Sequence, residues 1–484
     1  MEEKSFKAKV LSGVIWRFGE RICAQLVTFI VSIVLARLLS PTDYGVISLI
    51  TIFITVANVF VTDGFGKALI QKKDADNKDF STVFYFNIFF SWLVYGLIFV
   101  VAPFVAAFYK EPILGPVLRV LALKIPIAGI NSIQQAYVSR NMLFKRFFWS
   151  TIIGTVISAF VGIIMALKGY GVWALVVQYL SNSLIDTMVL WNTVKWRPQL
   201  VFEFSRLKDL LQFGWKILLT SLINSVYDNL RSLIIGKRYT SADLAYYTKG
   251  IHYPNLIIVN VNTAISSVLF SAMSKLQNDK EKLKQNLRRS ISLSTYVIFP
   301  LMMGLAAIAP ALIKYMLTDK WLLCVPFLRI ACVYLALYPI NIANLQAIMA
   351  VGRSDLFLKL NIIKKAIGII CILVSAPFGV YAMAGSEIVV GLAAVFTNVS
   401  TNMKLFQYSL TDLLKDIEKN LIMAVLMYGS IIIFGEIITN IITSEIVILL
   451  CQVCLGVLVY LVLSLVFKSK EFSSILGIVK EKIR

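Results

Sequence analysis

One histidine stands in 484 residues, and only 15% of the chain is charged, against roughly 25% in soluble domains. Histidine-based acid–base catalysis or a histidine metal cage has almost nothing to draw on. The six cysteines fall mostly inside apolar runs, where a thiol serves as a small packing residue. Cys451-Gln-Val-Cys454 is a lone CxxC without the second ligand pair of a zinc site. Long polar stretches are missing too. The loops between apolar runs reach only about 15 residues, close to ordinary connections, which leaves no room for a soluble catalytic domain.

What is present is apolar. Hydrophobic residues make up 58% of the chain, in runs of roughly 18 to 25 that can cross a bilayer. The expected fold is all-α and polytopic, with about 14 transmembrane helices: 11–38, 44–66, 81–107, 115–138, 148–167, 171–194, 210–236, 253–274, 290–313, 322–351, 358–376, 379–402, 419–438 and 443–467. Lys4, Lys7 and Lys9 run into the first span without a small-residue cleavage site, the pattern of an uncleaved insertion signal.

Lys and Arg number 47 against 26 Asp and Glu, a net +21. Their placement argues for topology rather than a nucleic-acid partner. Counted loop by loop, the side holding the N-terminus carries about 30 Lys and Arg and the other about 8, the bias of a cytoplasmic face. Both termini are therefore expected in the cytoplasm, with the basic loop 275–289 against anionic headgroups.

The chain repeats itself. Pro116-Val-Leu-Arg-Val-Leu-Ala-Leu-Lys-Ile-Pro-Ile-Ala-Gly-Ile-Asn131 is echoed by Pro326-Phe-Leu-Arg-Ile-Ala-Cys-Val-Tyr-Leu-Ala-Leu-Tyr-Pro-Ile-Asn341, and Arg140–Arg146 by Arg353–Lys359. Ser40-Pro-Thr-Asp-Tyr-Gly45 answers Thr240-Ser-Ala-Asp-Leu-Ala245, each a helix stop followed by a hydroxyl cap and an acid in the next first turn. The expected layout is a six-helix lobe at 1–196, a cytoplasmic linker at 197–209, a second six-helix lobe at 210–403, and two extra helices with a tail at 404–484. An even number of spans per lobe makes this a parallel repeat, about an axis along the membrane normal. Pro126 and Pro339 occupy equivalent helices and mark candidate bends.

Polar residues recur at helical spacing within the spans, so one face of each such helix avoids lipid. Arg17, Arg21 and Gln25 do so on the first span, Asn58 on the second, Lys124, Asn131 and Gln135 on the fourth. Gln178, Asn182 and Asp186 line the sixth span, Lys216, Asn224, Asp228 and Arg231 the seventh, and His252, Asn255 and Asn262 the eighth. A charge near mid-bilayer costs at least about 2.5 kcal/mol, so cations without acids to match them are candidates for an anionic ligand. The expected substrate-binding set is Arg17, Arg21, Gln25, Asn58, Lys124, Asn131, Gln135, Lys216 and Asn224, with Lys124 the leading member. Arg17 and Lys216 lie close enough to a span end to reach headgroups instead, and Asp228 and Arg231 are spaced to pair with each other. Asp186 and Asp228 are the candidates for a coupling proton or sodium ion, and no other cofactor or metal is expected.

Ala36-Arg-Leu-Leu-Ser-Pro-Thr-Asp-Tyr-Gly45, Asp63-Gly-Phe-Gly-Lys-Ala-Leu-Ile-Gln-Lys-Lys73, Met273-Ser-Lys-Leu-Gln-Asn-Asp-Lys-Glu-Lys-Leu283 and Asp319-Lys-Trp321 resemble the polysaccharide-export family of bacterial inner membranes. Within it they are similar to the Wzx-type flippases for colanic acid, teichuronic acid and lipopolysaccharide. The resemblance covers nearly the whole chain and implies the fold of multidrug exporters and lipid II flippases, two six-helix bundles with added C-terminal helices. It also implies the substrate, an undecaprenyl-diphosphate-linked oligosaccharide, with cavity cations on the diphosphate and other polysaccharide-assembly proteins as partners. Arg17, Arg21 and Lys124 match that role by position along their helices. Two alternatives stand beside it: an ion-coupled exporter of small organic cations, which favours an acidic cavity, and a membrane glycosyltransferase or ligase, which needs a large loop or a carboxylate cluster.

Overall fold

The structure, a computed structural model, describes residues 2–62, 65–277, 279–442, 444–474 and 477. Its helices are α1 (Glu2–Leu38), α2 (Pro41–Thr62), α3 (Phe65–Gln71), α4 (Asn77–Tyr109), α5 (Leu114–Leu121), α6 (Lys124–Arg140), α7 (Phe144–Leu167), α8 (Val172–Thr193), α9 (Phe204–Arg238), α10 (Ser241–Ser274), α11 (Lys280–Leu317), α12 (Val325–Ala336), α13 (Tyr338–Ala350), α14 (Ser354–Ser375), α15 (Val380–Phe406), α16 (Leu410–Thr439) and α17 (Glu445–Val466). No strand occurs among the described residues. Among the described residues ten segments are long and apolar enough to cross a membrane, and the protein is a multi-pass membrane protein. The helices α8, α9, α10 and α14, also read as spans from the sequence, are as long but fall outside those ten. A helix this polar tolerates lipid only with its polar face turned to protein or water.

Both echoed helix starts carry the same cap. Asp43 Oδ2 accepts from the Ser40 amide and hydroxyl at 3.0 and 2.6 Å, and the Ser40 hydroxyl accepts from the Asp43 amide at 3.2 Å. Thr240 and Asp243 repeat this at 3.1, 2.7 and 3.1 Å. Each box satisfies amides that the first helical turn would leave open. The two proline-bearing spans also break alike. The chain turns at Ala122–Leu123 before Pro126 and at Leu337 before Pro339, with Leu123 N donating to Val120 O and Leu337 N to Tyr334 O, both at 3.2 Å. Proline has no amide to continue the ladder and crowds the carbonyl four residues earlier. Pro103, Pro300 and Pro310, by contrast, sit inside continuous helices.

The chain forms two compact units, Met1–Ala245 and Tyr246–Arg484. The long helix α9, which opens the second sequence repeat, packs with the first unit on α2 and α4. Close approach at small residues makes this possible: a Cβ on Gly45 would sit 1.7 Å from the Ser241 carbonyl oxygen, and one on Gly236 would sit 2.4 Å from Leu49.

Between α8 and α9, residues 194–203 form a strap over the start of α4. Trp196 packs with Phe80, Phe84 and Tyr137, its Nε1 donates to Asn77 Oδ1, and its carbonyl accepts from Gln134. The Gln199 and Glu203 amides donate to Ser81 and Thr82 hydroxyls. Arg206 then meets Glu203, Asp76 and buried Asp79 at 2.6, 2.7 and 3.1 Å. The Asp79 amide, aided by Arg206, holds the Asp76 carboxyl below its ordinary value. Glu203 is lowered by its hydrogen bond from Arg206, and Arg206 is raised in turn.

Candidate functional site

In the first unit a polar chain crosses four helices. On α1, Arg17 reaches Glu20 Oε2 at 2.6 Å and lies over the Phe147 ring, 4.9 Å from its centroid. Glu20, 8% exposed, accepts through Oε1 from the Thr151 hydroxyl of α7 at 3.0 Å. The neighbouring Ser150 faces Asp186 of α8, which accepts from Asn131 Nδ2 of α6 at 2.8 Å. Glycine clears the path between α7 and α8: a Cβ on Gly154 would lie 3.2 Å from the Asn182 carbonyl, and one on Gly162 would lie 2.9 Å from Gln178. The polar stripe of α8 is thus turned toward its neighbour helices within the bundle.

Lys124 stands apart from that chain. It opens α6 at the proline break, half-buried, with Nζ 5.7 Å from the Tyr179 ring centroid of α8. Among the described residues no carboxylate lies within 4.0 Å of it. A cation over an aromatic face is held in place without being neutralised, and a helix N-terminus adds positive potential at the same point. Asn58 on α2 and Asn131 each bury an amide oxygen that has no hydrogen-bond partner among the described residues.

The other expected members are placed as follows. Gln25 is half-buried on α1 and Gln135 exposed on α6. Arg21 is exposed and lines a shallow hollow of about 320 Å³ with Arg17, Gly13 and Met142. Lys216, Asn224 and Asp228 are exposed on α9, and Arg231 is 3% exposed. The side chains of Lys4, Lys7, Lys9 and Asn262, and residues 63–64 of the second motif, lie outside the described residues. Sequence reading missed Tyr179 and Thr151 as partners, because a tyrosine or threonine within a span carries no sign of which helix it will face. It also missed Lys249, 8% exposed with its Nζ 5.9 Å from the Trp321 ring centroid. The run Tyr246-Tyr-Thr-Lys249, with aromatics beside a cation, was the available signal.

The second unit holds the counterpart with the charge removed. Asn341, the echo of Asn131, accepts through Oδ1 from Asn398 Nδ2 at 3.1 Å, and Asn344 pairs with Asn402 at 2.7 Å. Asn398 of α15 bonds Asn341 as Asp186 of α8 bonds Asn131, with the donor and acceptor exchanged, so an inter-helix bond is kept and the carboxylate is not.

Known proteins resemble the chain in sequence and in fold. The chain is 25% identical over 357 residues to the teichuronic acid biosynthesis protein TuaB of Bacillus subtilis (strain 168), covering 73% of each. To the lipopolysaccharide biosynthesis protein WzxC of Escherichia coli (strain K12) it is 23% identical over 368 residues, covering 74% of each. Among solved structures, the lipid II flippase MurJ in an inward closed conformation superposes with a TM-score of 0.73 at 17% identity, over 94% of this chain and 98% of that one, a likeness of fold. Residues 34–326, more than half of the chain, match the family model described as polysaccharide biosynthesis protein, and the chain belongs to that family.

Proposed function

We propose that this protein is a transporter without covalent catalysis that flips an undecaprenyl-diphosphate-linked oligosaccharide from the cytoplasmic to the outer leaflet of a bacterial inner membrane. The carrying observation is Lys124: a half-buried cation at a helix start, held over Tyr179 and matched by no carboxylate among the described residues. A buried charge without a counter-ion is a standing cost, relieved when an anion such as a diphosphate arrives. Arg17 and Arg21 on α1 would take part at the entry, and Asn58, Asn131 and Gln135 would meet sugar hydroxyls. The relatives named for teichuronic acid and lipopolysaccharide biosynthesis support a sugar polymer as the final product, and the MurJ likeness supports a scaffold suited to lipid-linked cargo.

In this reading all fourteen long helical segments span the membrane, both termini are cytoplasmic, and the two units alternate access by rocking. The tail stays in lipid while diphosphate and sugars pass through a polar path. Asp186, joined to Asn131 and near Glu20, is the better placed of the two candidates for a coupling proton or sodium ion, Asp228 being exposed. An exporter of organic cations fits less well, because Glu20 already faces Arg17 and Thr151. The test is reconstitution in liposomes with a labelled polyprenyl-diphosphate oligosaccharide and measurement of its transfer between leaflets. Acceleration over empty liposomes is expected; folded protein that gives none with several sugars contradicts the proposal.

A further inference from the structure

The arginine shared by the two echoed segments makes the same bond twice. Arg119 Nε donates to the Phe99 carbonyl and Arg329 Nε to the Ala306 carbonyl, both at 3.1 Å. What covers the guanidinium differs. In the first unit the Phe99 ring lies over it, 4.4 Å from Cζ. In the second unit the residue at that place is alanine, and a pocket of about 400 Å³ opens beside Arg329.

The pocket lies at the end of the second unit where α11 and α16 finish and α17 begins, and it holds charges of both signs. Lys314 is paired with Glu445 at 2.6 Å. Arg329 and Glu436 are not so matched: among the described residues the Arg329 terminal nitrogens have no acceptor, and the Glu436 carboxylate has no cation within 4.0 Å. Gln452, 6% exposed, lines the same pocket with an Oε1 that has no hydrogen-bond partner among the described residues, a state that buried polar atoms rarely keep.

Immediately along the same three helices the lining turns apolar. Ala307, Gly435 and Gln452 line the polar pocket, and one turn along the same helix faces Gly304, Ile431 and Gly456 line a groove of about 350 Å³. A polar pocket with an unmatched cation, an unmatched anion and an open amide acceptor therefore continues into an apolar slot. We propose that this is a binding site for one zwitterionic glycerophospholipid, its phosphate on Arg329, its ammonium on Glu436 and Gln452 Oε1, and an acyl chain in the groove. A lipid held there would brace the two C-terminal helices against α11. The site is separate from the first unit's cations and does not depend on which substrate is carried.

The experiment uses the purified full-length protein in detergent, stripped of endogenous lipid. It is titrated with phosphatidylethanolamine, phosphatidylglycerol of the same chains, O-phosphoethanolamine and undecaprenyl phosphate, with bound species counted by native mass spectrometry. Phosphatidylethanolamine should bind about tenfold more tightly than phosphatidylglycerol, the difference of one charge-assisted contact. Glu436→Gln should bring the two within a factor of about two, and Arg329→Ala should weaken both by about tenfold. Arg329→Lys, which keeps a cation in the pocket, should lose clearly less binding of both lipids than Arg329→Ala, and melting temperatures of all variants are read alongside, so that loss of binding is separated from loss of fold. Equal affinity of the unaltered protein for the two lipids, or a preference that survives Glu436→Gln, overturns the proposal. So does O-phosphoethanolamine binding as tightly as the lipid, which removes the groove from the account, or undecaprenyl phosphate displacing phosphatidylethanolamine, which gives the groove to the transported lipid.

Discussion

The two units share a backbone plan and differ in charge. Both sequence repeats start a helix with the same hydroxyl–Asp box, the proline-bearing spans of the two units break with the same hydrogen bond, and their arginines bind the same kind of carbonyl. Yet the echoed asparagine meets Asp186 in one unit and Asn398 in the other, and Lys124 is answered by Tyr334. The residues that hold these helices together recur in both units, and the charges of Asp186 and Lys124 do not. The proposed division of labour rests on this difference: anion binding and ion coupling in the first unit, lipid-assisted bracing in the second.

The comparison breaks most visibly at Gly45, whose echo is Ala245. A methyl group is accommodated at Ala245, fully buried in its own setting, whereas at Gly45 it would meet the Ser241 carbonyl. Gly45→Ala should lower stability by about 3 kcal/mol, the upper end for overpacking, read as a fall in melting temperature in detergent. A change below about 0.5 kcal/mol would mean that α2 and α10 do not meet as described.

Exchanging the interior pair sharpens the contrast. Asn398→Asp removes the donor that reaches Asn341 Oδ1 and buries a carboxylate, at a cost of about 2 kcal/mol. Asp186→Asn keeps an acceptor for Asn131 and should shift stability by less than about 1 kcal/mol, while transport in liposomes loses its dependence on pH or on sodium. Transport with the original dependence would remove Asp186 from coupling.

The smallest effect concerns the strap of the first unit. Asp76 and Glu203 are both depressed, so their pairing with Arg206 contributes above the ordinary carboxylate range and is lost as pH falls through their lowered values. Proteolysis in 197–203 should stay constant from pH 7 to 5 and rise only below roughly pH 4, the range where carboxylates take up protons. Arg206→Ala should bring that susceptibility up to neutral pH.

The repeat, the caps and both proline breaks were legible in the sequence because each rests on residues a few positions apart. The partners of the polar stripes were not. Periodicity tells that Arg17, Asn131 and Asp186 avoid lipid, but a helix face hidden from lipid meets either a cavity or another helix, and spacing does not distinguish them. Glu20 and Thr151 are 131 positions apart, and Asn131 and Asp186 are 55 apart. Gly154 and Gly162 let α7 approach α8, a role that shows only once the two helices are side by side. Lys124 could be singled out in sequence because its echo carries no charge.

The most direct test of the division of labour is to measure binding of a polyprenyl-diphosphate oligosaccharide to the unaltered protein, to Lys124→Ala and to Tyr334→Ala under one set of conditions. A weakening of about tenfold or more for Lys124→Ala, the worth of a charge-assisted contact, with Tyr334→Ala within about twofold, is the predicted result. Equal affinities in all three, or a larger loss at Tyr334, would contradict the assignment of the anion to the first unit.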